Sequence, residues 1–124
     1  MAFKLGNRKN SPTHLRGVRV IQTPLPGGEL AEARNDGTIA INSDKVDTSD
    51  KPLMNRIIKH EMKHMKDMDE GRADYGDEWM LWDGKIYLRR DINGTKVIDG
   101  PNGRHPEGSA EHPWEQEAIA AEKE

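Results

Sequence analysis

Cysteine is absent from this chain, so no disulfide can staple the fold and no thiolate can bind a metal. Aromatic residues make up only 5% and hydrophobic residues 33%, with a mean hydropathy of -0.95. Such a composition leaves material for a thin core only. No apolar run approaches the roughly 18 residues that a membrane span needs, so no membrane association is expected. Nor is there a basic excess. Lysine and arginine total 19 against 22 acidic residues, a net charge of -3, and a nucleic-acid partner is not expected. The first residues, MAFKLGNRKNS, hold no apolar core of signal-peptide length, so export by that route is not expected.

What is present suits one small domain. The chain has 124 residues, and its nearly balanced charges and periodic apolar runs argue against disorder throughout. A domain this polar, without disulfides, needs another staple: a metal ion, or burial in a larger assembly. Residues 1–16 are polar and basic and read as an N-terminal arm; residues 17–124 read as a single domain.

Along that domain, GVRVIQ (17–22) alternates apolar with polar and predicts a strand. Residues 24–37 are broken by Pro and Gly, with a short helical turn expected at 29–33. TIAIN (38–42), entered through Asp36-Gly37, predicts a second strand. The clearest helix runs from Lys51 to Asp69, with Ser49 or Asp50 to cap it, Pro52 in its first turn and Gly71 to end it. The turns Asp83-Gly84 and Asn93-Gly94 predict a small meander, and 101–112 a turn-rich loop. A last helix begins at Pro113. Trp79, Trp82 and Trp114 are the expected aromatic core.

On a wheel of about 100° per residue, Asn55, Arg56, Lys59, Lys63, Lys66 and Asp67 share the side expected to face water. Met54, Ile57, Ile58, Met65 and Met68 share the opposite side. His60 and His64 lie at one edge of the apolar face, and Glu61 falls within it. A buried carboxylate is costly unless something compensates it. A general base beside a metal needs that position, and two histidines one turn apart can direct two nitrogens at one tetrahedral ion. Chance alone produces a His-Glu-x-x-His in roughly two sequences per hundred of this composition. A chance match would still have to land on a capped helix with the glutamate inward.

This motif, followed by PWEQEAIAAE in the last helix, resembles the gluzincins, zinc metallopeptidases whose third ligand is a glutamate on a later helix. The resemblance implies His60, His64 and Glu115 as zinc ligands and Glu61 as the catalytic base. It also implies a minimal α+β zincin-like domain. In that fold a small, mostly antiparallel sheet packs on the His-Glu-x-x-His helix, and the C-terminal helix returns with the third ligand. The chain departs from the pattern at Ile119, where an acid or amide that orients a histidine would stand, and Glu117 stays open as a ligand. Asp74 and Asp77, in GRADYGD, are further alternatives, from a segment similar to one in the aspzincins. A calcium loop at 67–71 lacks the acidic positions it would need. His14, His105 and His112 carry no assigned role, and loop histidines such as the last two are expected to be exposed.

More narrowly, the chain resembles minimal zincin-like proteins of tailed bacteriophages, on MAFKLG, AEARNDGTIAIN, IIKHEMKHMKDM, GRADYGDEWMLWDGK and PWEQEA. The expected activity is zinc-dependent hydrolysis of a peptide or protein substrate. The alternative is a structural component of a phage virion, in contact with other phage proteins, that keeps the zinc as a staple. The matching locations are the virion or the host cytoplasm.

Overall fold

The computed structural model describes Ala2–Lys4, as backbone, and residues 18–124. The rest of the expected arm, His14 included, lies outside the described residues. Among the described residues the fold is α+β, with two α-helices and two sheets.

The first sheet has the order β1-β3-β4-β2, from β1 (Ala2–Lys4), β2 (Arg19–Thr23), β3 (Ala31–Arg34) and β4 (Thr38–Asn42). β3 and β4 are antiparallel, while β1 runs parallel to β3 and β2 parallel to β4. β4 is where the β-branched run predicts it, and all five of its residues are buried. β2 sits two residues into the expected 17–22 strand. The helical turn expected at 29–33 is not there. A 3-10 turn occupies Pro26–Gly28 instead, with Gly27 at φ 85° and Gly28 at φ 79°. The following residues are strand because Ala31 and Ala33 pair across to Ile41 and Ile39 in the core. Helix propensity in Ala-Glu-Ala-Arg is worth only tenths of a kcal/mol per residue, and non-local pairing overrides it.

Helix α1 spans Lys51–Asp69, as its caps predict. The Asp50 carboxylate accepts the Leu53 N–H at 3.1 Å and Pro52 occupies the first turn. Gly71, at φ 76°, ends it. Ile57, Met65 and Met68 are buried as the wheel requires. Asp67 corrects it. Placed with the solvated residues, it is fully buried and accepts from Lys63 Nζ at 2.7 Å, with Arg72 Nη1 3.9 Å away. Both cations come from the same helical edge or just beyond it, and their charge makes that burial tolerable.

The second sheet is an antiparallel meander, β5-β6-β7-β8-β9: Ala73–Tyr75, Trp79–Trp82, Lys85–Ile92, Thr95–Gly100 and Gly103–Pro106. The Asp83-Gly84 and Asn93-Gly94 turns join β6 to β7 and β7 to β8, with positive φ at all four residues, the two-residue hairpin geometry. β5 falls within GRADYGD, and β9 replaces part of the expected 101–112 loop.

Helix α2, Pro113–Ala121, begins at the predicted proline. One apolar cluster unites both sheets and both helices: it includes Ile39, Ile41, Ile57, Met65, Tyr75, Met80, Trp82, Ile98 and Trp114. Trp82 and Trp114 meet edge to face at 5.7 Å. Trp79 does not join them. It is 37% exposed and lies over Gly76, where a Cβ would overlap its indole. No helix among the described residues is long and apolar enough to cross a membrane.

Candidate metal centre

Helices α1 and α2 pack together, and their contact buries three side chains that a metal could use. His60 and His64 are one turn apart on α1, with ring centroids 5.0 Å apart at 74°. Glu115 comes from the first turn of α2, where a negative charge is favoured by the helix dipole. Its Oε1 lies 2.8 Å from His60 Nε2 and its Oε2 3.1 Å from His64 Nε2. One ligand atom from each of the three residues lies within 4.8 Å of the others, so this group could hold a metal ion. Without one, the same atoms form a buried polar contact between the two helices, with Glu115 hydrogen-bonded to His60. Exposure is 3% for His60, 0% for His64 and 1% for Glu115, which closes the cluster to water.

Electrostatics at the cluster follows from that burial. Removal from water pushes the His64 pKa down to about 3, leaving a neutral imidazole at physiological pH. A neutral ring is the form that donates a lone pair to a metal. Burial raises the Glu115 pKa to about 7, against the lowering effect of His60. Glu61 is also fully buried, and neither of its carboxylate oxygens has a hydrogen-bond partner among the described residues. Burial first, and then the negative charge of Glu115, push its pKa well above the ordinary carboxylate range. Glu29 and Glu32 add smaller effects of the same sign.

The other candidate ligands stand elsewhere. Glu117, two residues along α2, turns away and receives Arg72 Nη1 at 2.6 Å and Nη2 at 2.9 Å, with Lys63 Nζ 3.4 Å away. Asp74 Oδ1 accepts the Tyr75 N–H at 2.9 Å and Asn35 Nδ2 at 3.4 Å. Asp77 is exposed. Among the described residues, His60, His64 and Glu115 form the one group with ligand spacing.

His112 corrects the expectation of an exposed loop histidine. It is buried, stacked on Trp114 at 4.5 Å with a 12° interplanar angle, and its Nε2 lies 3.1 Å from the His105 carbonyl. Gly100 allows the approach, since a Cβ there would sit 3.0 Å from His112 Nδ1. His105 Nε2 is 3.0 Å from the Asn102 carbonyl. Both histidines therefore organise the 101–112 connection.

Glu122, which the sequence reading passed over, touches the cluster directly. Its Oε2 lies 2.7 Å from His60 Nδ1. The signal was its spacing: seven residues after Glu115 is two helical turns, which brings a side chain back to the same face.

No family model matches this chain, and no curated protein or solved structure matches it.

Proposed function

We propose that the chain is a zincin-like metalloprotein in which His60, His64 and Glu115 hold zinc, and that it hydrolyses peptide bonds with Glu61 as general base. The observation that carries the reading is Glu61. A carboxyl group with no exposure and no hydrogen-bond partner among the described residues is a liability for folding alone. Beside a metal it has a use, because a base must be near the ion, desolvated and raised in pKa.

The donor set fits zinc. Two imidazoles and one carboxylate make the three-ligand set of catalytic zinc sites, which keep a further position open. The His60 and His64 Nε2 atoms both face Glu115, as a common ion would require. Bound there, zinc supplies a Lewis acid that acidifies a water and polarises a peptide carbonyl. Glu61 then receives the proton of the attacking water on its carboxylate and returns it to the leaving amine. Hydrolysis of a peptide library by the zinc-loaded chain is expected to fall by at least about a hundredfold in Glu61→Gln. Unchanged hydrolysis in that variant would sink the mechanism.

The closure of the cluster favours a second reading. With none of His60, His64 and Glu115 more than 3% exposed, the zinc would serve as a staple for a thin core, and the chain would cleave little or nothing. A structural role in a tailed-phage particle, against other virion proteins, belongs to this reading, as the sequence resemblance suggests. A zinc-loaded chain that elutes as a monomer and turns over peptides would count against it.

A further inference from the structure

We infer that Glu122 is the positioning residue of the metal centre, fixing His60 as the tautomer that offers Nε2 to the ion. The inference rests on the zinc reading above and names a part of the site that no sequence pattern assigned to this position. An ionised carboxylate can only accept hydrogen bonds. With Nε2 given to the ion, the 2.7 Å contact would have His60 Nδ1 donate to Glu122 and hold the ring in that orientation. Nε2 faces Glu115 at 2.8 Å, the side from which the ion would be held.

Two observations separate this contact from an incidental surface pair. The first is burial. The His60 side chain is 4% exposed and that of Glu122 21%, so the bond is largely shielded from competing water. The second is location. Glu122 caps the C-terminal end of α2, with its N–H 3.3 Å from the Ala118 carbonyl and 3.1 Å from that of Ile119. A negative charge is disfavoured at that end of a helix, and α2 has no basic residue in its last turn to offset it. Helix stability alone would select against a glutamate here. His60 provides the reason for it.

The geometry also accounts for Ile119. That position is 36% exposed, and the contact to His60 comes from Glu122 instead. Ala118 and Glu122, at three and seven residues beyond Glu115, continue the stripe that faces α1. The orienting carboxylate is thus supplied one turn later along α2. Outer-shell partners of this kind fix ring orientation and raise ligand basicity.

The test uses the full chain and zinc itself as the probe. Zinc affinity is measured by competition with a chromophoric chelator for wild type, Glu122→Ala, Glu122→Gln and, as a control on the same helix, Glu117→Gln. Glu122→Ala is expected to bind zinc about 10–100-fold more weakly. Glu122→Gln keeps an acceptor but not the charge, so its affinity should fall between the two, and Glu117→Gln should match wild type. A purely structural tether would not move the second readout, the nitrogen-15 shifts of His60 in the zinc-loaded wild type. These are expected to show a protonated Nδ1 and a metal-bound Nε2. Zinc bound through Nδ1, or affinities of both Glu122 variants within twofold of wild type, would overturn the inference while leaving the zinc site standing. A wild type that binds no zinc would overturn the metal reading itself. If Glu122→Ala fails to fold, the Gln variant and the wild-type shifts decide.

Discussion

Glu115 and Glu117 stand two residues apart on one short helix and face opposite environments. Glu115 turns inward to two histidines, 1% exposed, with its pKa raised to about 7 by burial. The Glu117 side chain is 38% exposed, and the hydrogen bond from Arg72 holds its carboxyl below the ordinary value. Around Glu117 lies a network of Arg72, Lys63, Asp67 and Asp83, in which each carboxylate meets a cation. Around Glu115 lie two histidine rings and a second carboxyl group, Glu61, on which the negative charge of Glu115 acts. The same two helices thus make one contact in which carboxylates meet lysine and arginine and one in which a buried carboxylate meets two histidines. The difference teaches where a metal could act: the first contact already pairs its carboxylates with side-chain cations, while the second groups three buried side chains that could hold an ion.

The largest break in this contrast is Glu115→Ala. Removing a ligand should weaken zinc binding by more than the roughly 10–100-fold that loss of an outer partner brings. Chelator competition would read it, and near-wild-type affinity would dismiss Glu115 as a ligand.

A smaller effect sharpens the contrast through pH. In the zinc-free chain the buried carboxyls have raised values, so they bind protons more tightly folded than unfolded. Their contribution is full below the unfolded value near 4.5 and is lost as pH rises, for Glu115 through about 7. His64 has the opposite sign. Its folded value near 3 against 6.5 means stability is gained as pH rises to about 6.5, and no further. Above that point only the carboxyls act. Zinc-free stability should therefore fall between pH about 6.5 and about 8, and zinc should flatten the slope by competing with the protons. Urea titrations at the two pH values check this, and a rising zinc-free stability would contradict it.

The smallest expected effect is on the other side of the pair. Glu117→Ala removes a partly exposed ion pair worth about 0–1 kcal/mol and should leave zinc affinity unchanged. Thermal unfolding and chelator competition together check both halves.

How much of this was legible in the sequence depended on whether the signal was local. Helix α1 and the start of α2 were readable because Asp50, Pro52, Gly71 and Pro113 act within a turn of their own position. The hairpin turns were readable for the same reason. β3 was not, because Ala31 and Ala33 are strand only by virtue of Ile41 and Ile39 across the sheet. β5 and β9, of three and four residues, likewise exist as partners of β6 and β8. At the site, the motif and the resemblance named His60, His64, Glu61 and Glu115, and the fold brings the two histidines and Glu115 together. Burial of Asp67 was hidden because a helical wheel cannot register Arg72 returning from beyond the helix end. Glu122 was hidden less deeply: its two-turn spacing from Glu115 was visible, but its partner, 62 residues away, was not.

The account's central claim is a zinc ion at His60, His64 and Glu115, and elemental analysis of the wild-type chain tests it most directly. Purified without chelators and supplied with zinc, the chain should carry one tightly held zinc per molecule. No retained zinc would contradict the claim and leave the cluster a buried ion pair between two helices.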